Sequence, residues 1–432
     1  MSTPSTVPLQ ISIAPFPEGF QGDLDETFQQ AVQLMDANMV GNFLVGLVLP
    51  PGSTLPTSDQ GPIAIGNVWY FWDSATGQYL PQTVSSKAAK NFVKNCVYQV
   101  QQTGSTFSLS GTSATQTYDM ARSRGSVANV LAIAPDVGPA ASPDNDYCPA
   151  AIKYTVGPTL IPTPAATDLV FHEHLIEGAD IAMIQGEVLS LSFSVWTNTP
   201  GTYSYYLVST GRDCSYVGNF TITTPSVWTR IKVPGIPAIP TGAGTWNFGE
   251  GSTGMYIGVA MLVGTQFQSA SGNLNKWQPA FMCGSAANIN MCTVVNNQLK
   301  ISGIKLEASP QVSYLSVPSF DADFWECIRY YFTTFNYQSV TVGTPISGNA
   351  FVANSAAFAY TFPRRMCKTP TVVPYGWTSH TAGNITNIST GVDAATATLS
   401  ASVKGIVALP GPASTAKGDV FFALIIADAR LA

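Results

Sequence analysis

The stretch Asn288–Phe332 reads NINMCTVVNNQLKISGIKLEASPQVSYLSVPSFDADFWECIRYYF, and the predicted fold depends on two patterns within it. In the first, apolar and polar residues alternate over Leu299–Leu306, which predicts a strand. Gly303 interrupts the alternation, as a glycine does at a β-bulge or at a close approach of two backbones. In the second, apolar side chains recur three or four residues apart over Phe324–Phe332, which predicts a short helix.

Two residues upstream of this helix are candidate N-caps, Ser319 and Asp321, because their side chains accept hydrogen bonds from free backbone amides. The predicted arrangement is a strand that closes a β-sandwich, followed by one aromatic helical turn packed beneath it.

The chain of 432 residues carries few charges for its length. Charged residues make up 10% of it, against roughly 25% in an average soluble domain. Mean hydropathy is positive at +0.16, yet the longest apolar runs stop short of the ~18 residues that span a bilayer. We therefore expect the apolar excess to lie in cores and subunit interfaces, without membrane insertion.

Charge and cysteine content exclude further classes of protein. A net charge of −6 and a pI near 5.0, with no basic run, lack the electrostatic footprint of nucleic-acid binding. The first residues contain neither a basic nor an apolar segment, so a secretory signal is not expected there. Seven cysteines without a C-x-x-C pair predict free, mostly buried thiols.

Three regions follow one another along the chain. Residues 1–86 combine a helical pattern starting at Asp23 with short strands, of which Asn67–Asp73 opens a hairpin. Residues 87–335 are strand after strand with turns at regular spacing, which is typical of a sandwich. Residues 336–432 form a last β unit.

One strand in the middle region alternates strictly. In Leu189–Trp196 the apolar residues and the serines take opposite sides, which predicts a half-buried strand with its serines toward solvent.

Several motifs together resemble a jelly-roll domain found in bacteriophage tail and virion fibre proteins. Gly303–Glu307 matches its G-x-x-L-E strand and Cys327–Tyr331 its C-x-R-Y-Y segment, in the same order. Cys96–Thr106 resembles the opening of that domain, with Tyr98 where phenylalanine is usual. The terminal A-D-A-x-L, Ala427–Leu431, is similar to the C-terminal β modules of phage fibres.

The resemblance implies a mainly β protein with three domains. They are a small N-terminal α+β module for virion attachment (1–86), a central jelly-roll β-sandwich (87–335) and a small C-terminal β-sandwich at the tip (336–432). The implied function is that of a homotrimeric fibre or spike subunit of a bacteriophage virion, assembled in the host cytoplasm. It would bind host cell-surface polysaccharide and dock on a tail, neck or portal-proximal adaptor protein through residues 1–86.

Other functions remain open at this point. A head, collar or neck fibre, or a capsid-decorating protein, would have a mainly structural role in the same assembly. A non-viral carbohydrate-binding module or a glycan depolymerase would belong to another class.

Catalytic and metal-binding patterns are weak. His172 and His174 flank Glu173, and two histidines two apart on a strand share a face, so a metal site competes with solvated strand-edge histidines. A third ligand is not evident, and we predict neither metal nor cofactor. Acidic residues are scattered in loops, and none marks a catalytic pair, so an enzyme is not expected: Asp144, Asp146, Asp213, Glu250, Asp321 and Asp323.

Aromatic side chains are the better candidates for ligand contact. Tyr375, Trp377 and His380 lie in a turn-rich stretch of the last region. Exposed aromatic rings stack on the apolar faces of sugars, while hydroxyl and amide groups bind the rim. The alternative is that Trp377 fills the core of the last domain.

Overall fold

The computed structural model describes residues 47–49, 56–58, 63–65, 68–73, 78–82 and 90–431, except 110, 112–113, 143–144, 340, 353–354, 396–399 and 411–415. The chain divides into two compact units, residues 1–84 and 85–432. The helix predicted from Asp23 lies outside the described residues.

The described strands of the first unit are β1 (Leu47–Leu49), β2 (Ile63–Ile65), β3 (Val68–Asp73) and β4 (Gln78–Gln82). They form one sheet in this order. Strands β3 and β4 pair antiparallel, which confirms the predicted hairpin.

The second unit begins with a β-sandwich. Its described strands are β5 (Phe107–Ser108), β6 (Thr115–Gln116), β7 (Ala121–Arg124), β8 (Leu131–Asp136), β9 (Ala151–Val156), β10 (Leu169–Glu177), β11 (Leu189–Thr197), β12 (Gly201–Ser209), β13 (Ser215–Ile222), β14 (Thr229–Ile236), β15 (Thr253–Val263), β16 (Gln268–Ser269), β17 (Trp277–Gln278), β18 (Gly284–Ser285) and β19 (Gln298–Glu307). One sheet has the order β17-β13-β12-β15-β10-β7-β6 and the other β14-β11-β19-β9-β8-β5, while β16 pairs with β18. The chain crosses repeatedly between the two sheets, as it does in jelly rolls.

Short helices connect some of these strands. They are the α-helices α1 (Gly178–Met183) and α2 (Phe320–Ile328) and the 3₁₀ turns Thr265–Phe267, Ser271–Asn273 and Met291–Thr293. No helix in the described part of the chain is long and apolar enough to cross a membrane.

The second unit ends in a smaller β structure. Its described strands are β20 (Tyr331–Thr333), β21 (Ile346–Val352), β22 (Ser355–Phe358), β23 (Tyr360–Thr361), β24 (Thr371–Gly376), β25 (Asn384–Asn387), β26 (Val392–Ala395), β27 (Ser400–Ser402), β28 (Gly405–Pro410) and β29 (Val420–Asp428). Strand β29 is central, with β20 and β21 along one edge and β24 and β25 along the other. Pairing joins these ten strands into one sheet with the main order β23-β28-β22-β21-β29-β25-β26, and Ile406 of β28 shares an apolar cluster with Phe421 and Ile425 of β29.

Two apolar clusters hold the second unit together. The first lies between the two sheets of the large sandwich. The second joins the outer face of the seven-stranded sheet, through Phe171 and Leu175, to the C-terminal strands through Phe421. Strands β10 and β15 are therefore buried along their whole length, on both faces.

The observed elements confirm the predicted fold class, which is mainly β, and several of the local predictions. Strand β19 contains the predicted bulge, since its register with β11 shifts next to Gly303. Helix α2 begins after Ser319, whose hydroxyl accepts a hydrogen bond from the Ala322 amide at 3.3 Å. All seven cysteines are free and buried.

Two local predictions were wrong. The helix ends at Ile328 instead of continuing to Phe332, and Tyr331 begins strand β20, which pairs with β29. Trp325 of this helix is 49% exposed rather than packed beneath the sandwich. The serines of β11 are buried, because Arg230 covers them and donates a hydrogen bond to Ser192 Oγ at 2.8 Å. The boundary between residues 335 and 336 stays a prediction.

Candidate functional site

The predicted ligand residues Tyr375 and Trp377 lie at one face of the C-terminal sheet. In β24 the residues Val372, Pro374 and Gly376 are buried, whereas Val373 and Tyr375 on the opposite face are partly exposed. The register of β24 with β29 places Val373 beside Ile426 and Tyr375 beside Leu424. The two strands thus share an apolar face that points away from the second core.

Trp377 continues this face just after β24 ends. Its ring packs edge-on against Phe422, with the centroids 6.4 Å apart, and 37% of the residue is exposed. Tyr375 packs edge-on against Phe335 at 5.2 Å. Trp377 therefore lies at the surface of this sheet rather than in its core. We call the surface of Val373, Tyr375, Trp377, Phe422 and Ile426 the aromatic face.

A carboxylate orders the turn that carries Trp377. Asp393 accepts hydrogen bonds from the Ser379 amide at 3.1 Å and from the Thr386 hydroxyl. Burial raises the pKa of Asp393, but these hydrogen bonds outweigh that effect and lower it. The ionised group thus holds the turn in place. His380 sits in the same turn in a left-handed conformation (φ 56°), and its amide donates to the Gly376 carbonyl at 2.9 Å.

A hollow of about 440 Å³ lies at the other end of the aromatic face. It is lined by Lys368, Thr369, Thr371, Val373, Ile426, Asp428 and Arg430. Arg430 Nη2 donates to Asp428 at 2.6 Å, and its guanidinium lies 4.9 Å from the centre of the Tyr331 ring. Polar and apolar groups therefore meet at this end, as they do in sites that bind sugars.

The interpretation of the histidine pair as solvated strand-edge residues was wrong. His172 and His174 are fully buried, because β10 lies inside its sheet and these side chains point into the sandwich. The two imidazole nitrogens of His172 contact the hydroxyls of Tyr98 at 2.6 Å and Tyr154 at 2.7 Å. Burial lowers the pKa of His174 to about 4 and that of His172 well below its usual range.

The described residues contain no group of three His, Cys, Asp or Glu side chains that is placed to hold a metal ion. The tyrosine hydroxyls already occupy both nitrogens of His172. His172 is a core residue whose polar atoms are satisfied by hydrogen bonds.

A second hollow, of about 380 Å³, lies beside helix α2 and contains three carboxylates: Asp180, Asp323 and Glu326. Lys94 contacts Asp180 at 2.6 Å, and Arg364 contacts Glu326 at 2.9 Å. Asp323 is buried and accepts from Gln99 Nε2 at 2.8 Å, and burial raises its pKa. Two of the three groups are thus held in ion pairs.

Other candidate acids have structural partners as well. Asp146 pairs with Arg230 at 3.1 Å, Glu250 pairs with Arg329 at 2.5 Å, and Asp213 accepts from the Thr245 amide at 2.7 Å. Asp321 is exposed in the first turn of α2, and Asp144 lies outside the described residues.

Sequence reasoning missed the β29 half of the aromatic face. Phe422 and Ile426 lie in a continuous apolar run, VFFALIIA, which carries no alternation to show which side chains face outward. Only the pairing with β24 reveals it.

The chain matches no family model and no curated protein. Among solved structures it is similar to the enzymatically active domain of tailspike protein 4 of bacteriophage CBA120, at 10% identity and a TM-score of 0.25. That likeness covers 50% of this chain and 21% of the tailspike domain, so the chain spans about a fifth of it.

It is also similar to the family 11 carbohydrate-binding module of Clostridium thermocellum, solved with a mixed-linked tetrasaccharide (10% identity, TM-score 0.25, 48% of this chain and 99% of the module). A family 30 carbohydrate-binding module is similar as well, at 9% identity and a TM-score of 0.24, and the likeness covers 52% of this chain and 97% of the module. Likenesses of this low score assign no function.

Proposed function

We propose that this protein is a fibre or spike subunit of a bacteriophage virion that attaches to host-surface glycan by binding. The observation that carries the proposal is the aromatic face, where the Trp377 ring is 37% exposed beside Tyr375 and Phe422. An aromatic ring of this exposure offers a stacking surface to the apolar side of a sugar ring.

Polar groups surround the exposed ring. Thr378, Ser379 and Thr381 are exposed in the adjoining turn, where their hydroxyls can exchange hydrogen bonds with a sugar. Single contacts of this kind are weak, and display in several copies strengthens attachment through effective concentration, commonly by ~10²–10⁴-fold.

Binding without bond cleavage is part of the proposal. A glycosidase needs one carboxylic acid and one free carboxylate on either side of the scissile bond. The carboxylates of the α2 hollow are held by Lys94 and Arg364 or buried against Gln99. Release of sugar fragments from bacterial surface polysaccharide by the purified protein would contradict this part.

Replacing Trp377 by alanine tests the aromatic face. We expect binding to an array of bacterial surface polysaccharides to weaken by about 10–100-fold, as at an aromatic hot spot. Unfolding free energy should fall by less than the ~3–5 kcal/mol that truncation of a fully buried tryptophan costs, since 37% of Trp377 is exposed.

Trp325→Ala is the matched control, because Trp325 is 49% exposed on helix α2, away from the aromatic face. It should keep wild-type binding. Equal binding by Trp377→Ala and the wild type would refute the role of Trp377.

Immunogold labelling of particles tests the virion assignment, and absence of label from purified virions would refute it.

A further inference from the structure

The outer face of the seven-stranded sheet gathers three arginines around one carboxylate. Arg122 and Arg124 are two residues apart on β7, so both side chains lie on the same face. Glu173 is beside Arg122 on the neighbouring strand β10, and Arg212 comes from the turn between β12 and β13.

Glu173 is fully buried, and three donors occupy its two oxygens. Arg122 Nε and Arg212 Nη2 donate to Oε2 at 2.9 and 2.5 Å, and the Tyr206 hydroxyl donates to Oε1 at 2.9 Å. Burial raises the pKa of Glu173, but Arg212 and Arg122 outweigh that effect and lower it. The carboxylate is therefore ionised, and its one negative charge pairs with the guanidinium groups of both Arg122 and Arg212.

Aromatic rings form the floor beneath the guanidinium groups. Arg122 and Arg212 lie 4.2 and 4.6 Å above the centre of the Tyr256 ring, and Arg212 lies 4.9 Å from that of Phe281. Stacking on these rings orients the guanidinium planes and leaves donors at their rims. Arg212 also holds a left-handed conformation (φ 54°), which costs free energy in an L-residue other than glycine.

Arg124 differs from Arg122 and Arg212 in that no described residue forms a side-chain hydrogen bond or ion pair with it. Its Nε is buried without a hydrogen-bond acceptor among the described residues, and no described carboxylate forms an ion pair with it. Arg124 lies near the others by strand register, since it faces Phe171 of β10, two residues from Glu173, and shares a face of β7 with Arg122. Arg124 as a whole is partly exposed, so its guanidinium is within reach of a ligand, and the buried Nε lacks the acceptor that buried donors nearly always have.

We propose that Arg122, Arg124 and Arg212 bind an anionic group of a polysaccharide, either a uronate carboxylate or a phosphodiester. Both groups present two acceptor oxygens that fit the donor fork of a guanidinium. The inference rests on the proposed function for the source of the ligand, a glycan, and adds that this glycan is acidic.

The test uses the full chain and three polymers: polygalacturonate, its methyl ester, and poly(glycerol phosphate). The methyl ester keeps the sugar backbone without the charge. We expect the wild type to bind one of the two polyanions more tightly than the ester, with an affinity that falls as salt rises. Which polyanion binds tells a carboxylate from a phosphodiester.

Arg124→Gln removes a charge that supports no described contact, so the fold should be kept. Loss of one charged hydrogen bond should weaken polyanion binding by about ten-fold or more. Arg365→Gln is the charge-matched control, since Arg365 is 56% exposed and pairs only with exposed Glu250, and it should stay within about two-fold of the wild type.

Three results would overturn the anion site. They are binding of neither polyanion by the wild type at millimolar concentration, wild-type affinity in Arg124→Gln, and an equal loss in Arg365→Gln. Equally tight binding of polygalacturonate and its ester that requires Trp377 but not Arg124 would uphold the proposed function while removing this site.

Discussion

Gly303 shows how strongly one position depends on its surroundings. Its backbone is left-handed (φ 62°), and an added Cβ would lie 2.8 Å from Cys148 Sγ and 2.9 Å from Arg230 Nη1. Arg230 itself is engaged there, since its Nη1 donates to the Gly303 carbonyl at 2.6 Å. Backbone conformation and space therefore both require glycine.

Gly303→Ala should lower the unfolding free energy by about 2–5 kcal/mol. A left-handed conformation costs an L-residue about 1–2 kcal/mol, and overpacking adds a further ~1–3 kcal/mol. Gly235→Ala is the control, because Gly235 is also left-handed (φ 68°) but has open space around its Cβ position. Urea unfolding measures both, and equal losses would show that crowding at Gly303 contributes nothing.

At the scale of elements, an ionic cluster joins the sandwich to the segment that leads into the C-terminal strands. Glu177 ends strand β10 and accepts from Arg329 Nη1 at 2.7 Å, from the Tyr330 hydroxyl at 2.6 Å and from the Gly251 amide at 2.8 Å. Lys94 lies 3.4 Å from the same carboxylate. Burial raises the pKa of Glu177, but these partners outweigh it and lower the pKa to about 2.

This lowered pKa predicts acid sensitivity. The ordinary pKa of a glutamate is 4.5, so the unfolded chain takes up the proton first as pH falls. The stability due to Glu177 is complete above pH 4.5 and is lost progressively down to about pH 2, on the order of 3 kcal/mol in all.

Glu177→Gln should lose stability at neutral pH and flatten the slope of unfolding free energy between pH 4.5 and 2. Glu326→Gln is the matched control, because it removes a carboxylate from a partly exposed ion pair with Arg364 and should cost less stability at neutral pH than Glu177→Gln. Chemical denaturation at a series of pH values measures this. An unchanged slope in Glu177→Gln would mean that other groups cause the acid sensitivity.

At the scale of the whole molecule, low charge combines with positive mean hydropathy, and apolar residues beyond those in the cores are expected at contacts between chains. The resemblance to phage fibre proteins implies that the number of chains is three, so we predict a homotrimer with a native mass near three times 45.7 kDa. A stable monomer in sedimentation or native mass spectrometry would contradict the homotrimer.

A chain that begins at Ser85 should fold and form trimers, since residues 85–432 are a compact unit, but it should fail to join particles.

The sequence by itself determined what depends on near neighbours. Strand β19 with its glycine bulge, the Ser319 cap of α2 and the β3–β4 hairpin follow from alternation, capping and turn residues, which act over a few positions. The prediction that Tyr375 and Trp377 contact a ligand has the same local basis, since both are aromatic residues in a turn-rich stretch.

Only the tertiary structure decided what covers each face. The serines of β11 are buried because Arg230, distant in sequence, folds over them, and His172 and His174 are buried because their strand is central. Tyr331 leaves the helical pattern because its backbone pairs with Asp428. Alternation shows which residues share a face of a strand, but contacts between remote segments decide whether that face meets water, protein or ligand.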